Sequence, residues 1–357
     1  MSLACPSSLV IGAGGVGVVT GYSLFHAARS TVSLVVRSDY QHVLKHGYNI
    51  NSCDYGLIKN WKPHNLFETV HAAADSGKFF DYIVVTTKNI PDGPISNRIH
   101  EVIRPVIESN HKIFPERVTN VLLIQNGIDI EKEILKYFDK ARYKLSLLSG
   151  VQLIASTKVA TGELHHKGKD DLSVGAFDLE DANAVKSAKE FVSIYNNEGH
   201  NRVKYDENVR YTRWKKLLYN AAVNTTTALV DLDVPRCLEF SQDRVGTENH
   251  IFRPAMKEIV SIAASEGVTL ESDLIDFFVD ITRKIVYKPS MCVDFEKSQL
   301  MELEIILGNP IRIARANNVD TPTLNMLYHL LVLVQGKLKE GKGLLKFDEA
   351  TAKLVDE

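Results

Sequence analysis

No apolar run in this sequence approaches the ~18–20 residues that a membrane-spanning helix needs, so no membrane association is expected. Positive charge is not in excess either. Lys and Arg number 42 against 44 Asp and Glu, a formal charge of −2, which leaves no basic footprint for nucleic acid. Cysteine is scarce. Cys5, Cys53, Cys237 and Cys292 stand far apart in no metal-ligand spacing and read as free thiols in a reducing compartment. The opening Met1-Ser2-Leu3-Ala4-Cys5-Pro6 has no basic stretch and no long apolar core, so no secretory signal is expected and a cytoplasmic location is. His42 and His46 stand four apart with no Glu between them and no evident third ligand. They read as a solvated helix face, and no metal site is expected.

What is present is ordinary in bulk: 357 residues, 45% hydrophobic and 24% charged, the size of about two domains of a globular enzyme. The information lies in local patterns. Ser8-Leu9-Val10-Ile11 is a short apolar run that ends in Gly12-Ala13-Gly14-Gly15-Val16-Gly17, and Val18 to Ala28 then reads as a helix. Strand, Gly-x-Gly-x-x-Gly and helix in that order are the dinucleotide-binding turn. The first glycine allows the tight turn, the second lets backbone approach a pyrophosphate, and the third lets helix pack on strand. Amide hydrogens at the helix start face the phosphates.

A second strand, Val32–Val36, ends at Arg37-Ser38. A free ribose 2′-hydroxyl usually meets Asp or Glu at this point. A guanidinium suits a 2′-phosphate instead, which favours NADP(H). Asp39 follows and is read as the cap of a helix starting near Tyr40. The stretch Phe79–Asn89 reads as a strand that delivers Lys88 to its carboxyl end. Val121–Ile124 is another and delivers Asn126, although Asn126-Gly127 is also a common turn dipeptide. Helix is expected over 99–107, with Pro105 kinking or shortening it, and over 183–195. Between them, 144–148, 151–155, 163–166 and 172–174 read as short strands, with turns at Thr161-Gly162 and Lys167-Gly168.

After Tyr205 helical periodicity takes over, with helices expected at 207–229, 238–266, 271–286, 297–317 and 322–338. Pro254 and Pro310 fall inside two of them and should mark kinks. The division expected is a sheet domain over 1–205, a helical domain over 206–340 and a polar tail over 341–357. Within the first of these helices Lys216, Asn220 and Asn224 recur every four residues, a step about 40° past a full turn, so they share one slowly drifting face. Leu217, Leu218, Ala221 and Val223 fill the other sides. A polar line on a helix that is otherwise apolar needs polar company. Glu302, among Leu303, Ile305, Ile306 and Leu307, reads as a carboxylate on a second buried helix. Its partner is either Arg312 or Arg315, or Lys216.

These features together resemble the 2-dehydropantoate 2-reductase (ketopantoate reductase) family over nearly the whole chain. The resemblance rests on Gly12-x-Gly14-x-x-Gly17, Arg37, Lys88, Asn126-Gly127, Lys216-Leu-x-x-Asn220-x-x-x-Asn224-x-x-Thr227-Ala228, and Ser290-Met291-x-x-Asp294 followed by Glu302. It implies an α/β fold: a Rossmann-like NADP-binding domain followed by an all-helical one, with the active site in the cleft between them. It implies NADPH as cofactor and a small 2-oxo acid as substrate. Lys216 matches the catalytic lysine and Glu302 the glutamate that pairs with it. Asn220, Asn224 and Ser290 match substrate-binding positions. Lys88 and Asn126 match positions near the nicotinamide and its ribose.

The chain departs from the family pattern at two places. Leu232-Asp233-Val234-Pro235 stands where members carry Pro-Asn-Gly, and Leu307 stands where they carry Asn. Because Asn220, Asn224 and Ser290 match the family, reduction of ketopantoate to pantoate, in pantothenate biosynthesis, is still the first expectation. Another 2-oxo acid or ketone is the second, and a non-catalytic NADP(H) sensor the third. Apolar faces of the helical domain suit a homodimer and suit a core equally.

Overall fold

The computed structural model describes residues 5–283 and 285–355, which form two compact units. The first comprises Met1–Lys88, Ile99–Gln125 and Ile130–Val209. The second comprises Asn89–Arg98, Asn126–Asp129 and Arg210–Glu357.

Among the described residues the first unit holds one ten-stranded sheet. Its strands are β1 (Ser7–Ile11), β2 (Thr31–Val35), β3 (Tyr48–Ser52), β4 (Gly56–Trp61), β5 (Asn65–Phe67), β6 (Tyr82–Val85), β7 (Thr119–Ile124), β8 (Leu145–Ala160), β9 (Glu163–Ala176) and β10 (Arg202–Tyr205). Their order is β4-β3-β9-β8-β7-β6-β1-β2-β5, with β10 alongside β9. Every pairing from β8 to β5 is parallel. Parallel strands are covered on both faces, which is why their sequences are unbroken apolar runs. Val10, Leu34, Val84, Leu122 and Leu148 are wholly buried. The helices are α1 (Gly15–Ala27), α2 (Tyr40–His46), α3 (Val70–Asp75), α4 (Ile99–Ile113), α5 (Ile130–Tyr137), α6 (Lys140–Tyr143) and α7 (Ala182–Tyr195). Val18 and Leu24 of α1 join Phe191 and Tyr195 of α7 in the core.

Four expectations change here. The four short strands of 144–174 are two long ones, and the only turn between them is at Thr161-Gly162. Lys167-Gly168 lies within β9, where register shifts near Ala155 make a bulge. A Cβ on Gly168 would lie 2.7 Å from that of Ala155, so the glycine serves close pairing and not a turn. The β3–β4 hairpin was not anticipated, although Tyr48, Ile50 and Ser52 alternate and Gly56 (φ +73°) opens its second strand. Helix α4 continues through Pro105 to Ile113. Its inner residues Ile103, Val106 and Ile107 are buried, and that packing outweighs one lost backbone bond. Asp39 stands at the start of α2 but makes no cap bond. Its carboxylate is held instead by Lys158 and the Gly162 N–H.

The second unit is helical: α8 (Val209–Tyr219), α9 (Thr225–Val230), α10 (Val234–Glu239), α11 (Arg253–Ser265), α12 (Leu274–Thr282), α13 (Ser290–Glu296), α14 (Asn309–Ala316) and α15 (Pro322–Gly341). The tail after α15 forms two short paired strands, β11 (Phe347–Asp348) and β12 (Lys353–Leu354). Three π-helical turns, Asn220–Asn224, Glu248–Phe252 and Glu304–Gly308, run directly into α9, α11 and α14. Two of them explain the expected kinks. Pro254 and Pro310 each sit at the start of the α-helix just after a π turn. A proline there has no N–H to give and would strike the carbonyl four residues back. The wider turn relieves both problems.

Candidate active site

The carboxyl edge of the sheet is set by register. Ile11 lies opposite both Val35 and Val85, and Val85 opposite Leu123, so the loops after β1, β2, β6 and β7 leave from one line. In doubly wound sheets that edge binds ligands. The glycine turn sits there. Gly12 has φ +116°, and a Cβ on it would lie 2.8 Å from Thr86 Oγ1. One on Gly17 would lie 1.9 Å from the Gly12 carbonyl oxygen. Neither position admits another residue. A Cβ on Gly14 meets nothing within 4 Å, so this backbone faces open space. Gly14 caps α1 with no side-chain acceptor, which leaves first-turn amides pointing outward at the positive end of the helix. A pyrophosphate fits this cradle. Ala13, Gly15 and Val16 complete the turn. Arg37 and Ser38 are exposed after β2, and Lys88 is exposed after β6. All three follow strands of the parallel sheet at this edge.

The second unit gathers the remaining candidates. Lys216 is half-buried on α8, one turn before the π segment. Asn220 and Asn224 begin and end that segment, and both are buried. A π turn closes only after more than four residues, so the single drifting face expected of an α-helix is broken between them. Their side chains still meet, Asn224 Nδ2 donating to Asn220 Oδ1 at 3.5 Å. The carbonyls that the wide turn loosens are taken up by hydroxyls. Thr225 Oγ1 donates to Ala221 O at 2.7 Å and Thr226 Oγ1 to Ala222 O at 2.7 Å.

Asn224 is engaged on both amide atoms. Its Oδ1 accepts from the Met291 N–H at 2.8 Å, and its Nδ2 also donates to Ser290 Oγ at 3.2 Å. It thus caps α13 from outside and orients Ser290. Since Ser290 Oγ accepts there, its own proton points elsewhere.

Glu302 is 3% exposed and lies just before the third π turn, not within a helix as its neighbours suggested. Its Oε1 accepts the Asn89 N–H at 3.1 Å and its Oε2 accepts Asn126 Nδ2 at 2.9 Å. Of the arginines considered for it, Arg312 pairs with Glu304 and Arg315 bonds Asn325. Asn126, expected beside the cofactor, spends an amide hydrogen on this carboxylate.

The segment that carries Asn126 is clamped along its length. Arg213 Nη1 donates to Gly127 O, the Ile128 N–H to Ile305 O, Asn309 Nδ2 to Ile128 O, and Arg210 pairs with Asp129. Gly127 has φ +88°, and a Cβ on it would lie 2.5 Å from Ile305 O. Gly127→Ala is therefore expected to destabilise the protein by at least about 2 kcal/mol, read as a lowered melting temperature. An unchanged melting temperature would refute this account of the turn.

Sequence reasoning missed Asn89 and Arg213. Asn89 acts through its backbone, which no residue type signals. Arg213, 5% exposed, carries no sequence signal that sets it apart from the other basic residues of α8. Elsewhere Cys53, Asp54 and His166 come within 4.8 Å. Both His166 ring nitrogens are engaged, Nδ1 with Ser52 Oγ and Nε2 with Gly168 O, each at 2.9 Å, so the group reads as a clip between β3 and β9. No helix of the described residues is long and apolar enough to cross a membrane.

Two family models match, the ketopantoate reductase PanE/ApbA model over residues 8–178 and its C-terminal counterpart over 208–335. A Saccharomyces cerevisiae chain described as uncharacterized protein YDL144C is 60% identical over 352 residues, 98% of this chain and 99% of its own. The crystal structure of 2-dehydropantoate 2-reductase from Methylococcus capsulatus superposes with a TM-score of 0.75 at 30% identity, covering 93% of this chain and 97% of that one. A ternary structure of D-mandelate dehydrogenase with NADH and anilino(oxo)acetate shares the fold, with a TM-score of 0.75 at 18% identity and coverage of 93% and 99%. The chain belongs to the ketopantoate reductase family, oxidoreductases that use a nicotinamide cofactor and act on small molecules.

Proposed function

We propose that this protein reduces a 2-oxo acid to the 2-hydroxy acid with NADPH, and that ketopantoate is the first substrate to test. The observation that carries the reading is Glu302. This buried carboxylate is gripped by two donors in the unit that also carries Lys216, Asn220, Asn224 and Ser290. A buried carboxylate fixed in this way is the proposed charge partner of Lys216.

Bound NADPH supplies the hydride to the carbonyl carbon. The rest of the chemistry falls to the chain. The carbonyl oxygen gains charge as its π bond opens. Lys216 Nζ stabilises that charge and transfers a proton to it, leaving an alcohol and a neutral amine that regains its proton from solvent. Lysine suits the task because its pKa can be tuned, whereas arginine does not readily release a proton. Ser290 and Asn220 hold the polar end of the acid, with Asn224 fixing Ser290. On the cofactor side the glycine turn receives the pyrophosphate and Arg37 the 2′-phosphate.

A second reading keeps the chemistry and changes the acid. Val234 and Leu307, where the family pattern has asparagines, are both wholly buried, and their side chains offer no hydrogen bond. Following the NADPH absorbance with ketopantoate, pyruvate, 2-oxoisovalerate and benzoylformate separates the two. Turnover with ketopantoate supports the first reading, and turnover only with another acid supports the second. Absence of turnover across such a panel would overturn both.

A further inference from the structure

At the end of β2 two residues favour opposite cofactors. Arg37 suits a ribose 2′-phosphate, and Asp39, two positions on, is the residue type that meets a free 2′-hydroxyl. The structure takes Asp39 out of that competition. Its side chain is 3% exposed, and its carboxylate bonds Lys158 Nζ at 2.5 Å, Ser38 Oγ at 3.0 Å and the Gly162 N–H at 3.1 Å. Burial by itself would raise this carboxyl. The bonds from Lys158, Gly162 and Ser38 outweigh it and hold the group below the usual carboxylate range, hence charged.

Lys158 reaches the turn from β8, far along the chain. The bulged part of β8 lies against the glycine turn, close enough that a Cβ on Gly15 would be 2.2 Å from the Ser156 carbonyl oxygen. From there Lys158 Nζ also lies 3.3 Å from Ser38 Oγ. Its side chain remains 32% exposed, and Arg37 and Ser38 are exposed beside it.

We propose that Lys158 is a specificity-determining residue for the phosphorylated ribose of the cofactor: with Ser38 it neutralises Asp39 and holds it away, leaving Arg37 to receive a 2′-phosphomonoester. The assignment rests on the NADPH reading above. Lys158 acts through Asp39, as a positioning residue. Without it an uncompensated carboxylate stands beside the phosphate site, and like charges a few ångströms apart repel. A ribose hydroxyl suffers no such penalty and can donate to that carboxylate.

Equilibrium binding tests this without turnover. Dissociation constants of NADPH, NADH, 2′,5′-ADP and 5′-AMP are measured by calorimetry for the wild type, Lys158→Met, Lys158→Gln, Lys158→Arg and the double variant Lys158→Met/Asp39→Asn. The wild type is expected to prefer the 2′-phosphorylated ligand of each pair. Lys158→Met and Lys158→Gln should weaken NADPH and 2′,5′-ADP by about tenfold and change NADH and 5′-AMP less than twofold. Lys158→Arg should keep the preference, and adding Asp39→Asn should restore most of it. General loosening of the turn would weaken both ligands of a pair alike, so an unchanged ratio in Lys158→Met and Lys158→Gln overturns the assignment and leaves the NADPH reading standing. A wild type that binds NADH as tightly as NADPH overturns that reading and the assignment with it.

Discussion

Lys216→Ala is expected to lower turnover by ~10²–10⁴-fold, the usual contribution of a positioned proton donor, while NADPH affinity stays close to that of the wild type. At about 1.4 kcal/mol per tenfold, this raises the barrier by roughly 3–5 kcal/mol. The loss should appear in kcat and kcat/KM together, because the charge on the substrate oxygen that the lysine stabilises develops only in the transition state. Lys216→Arg separates its two duties. Arginine keeps the positive charge but does not give up a proton at neutral pH, so it should recover little of the rate. Single-turnover rates with a saturating cofactor measure this directly. Full activity in Lys216→Ala would remove the residue from the mechanism.

Glu302→Gln should be the next most damaging change. The carboxylate accepts on both oxygens, from the Asn89 N–H and from Asn126 Nδ2. An amide of the same shape can accept on one side only and faces the other donor with its own hydrogens. One buried group is left unsatisfied, at a cost of about 1–3 kcal/mol of stability. The substitution also removes the carboxylate proposed to pair with Lys216, so turnover should fall by roughly tenfold to a hundredfold. Comparing kcat with NADPH affinity distinguishes this from simple loosening, which would weaken both. Wild-type kinetics and melting temperature in the variant would refute both parts.

The elements that sequence pattern made legible are those whose physics is local. The glycine turn declares itself because each glycine answers a steric demand within a few residues or directly across a neighbouring strand. The parallel strands declare themselves because burial on both faces forces an apolar run. The stripe of Lys216, Asn220 and Asn224 was visible as polar residues at helical spacing. Its geometry was not, since a π turn depends on packing and on the Thr225 and Thr226 hydroxyls, not on the period of the stripe. The β3–β4 hairpin is faint in the sequence because β4, at the edge of the sheet, is largely exposed and carries little alternation.

Chain composition and motif order alone determined the broad identity: a nucleotide-binding α/β domain, then a helical domain bearing a lysine, two asparagines and a buried glutamate. Tertiary structure decided how those groups are used. It gave Glu302 its donors through Asn89 and Asn126, turned Asn224 from a free amide into the cap of α13, and brought Lys158 from β8 onto Asp39. Each of these pairs residues more than sixty positions apart. A hydrogen bond depends on distances within a few tenths of an ångström, and only the folded backbone sets those distances for residues that are strangers in sequence.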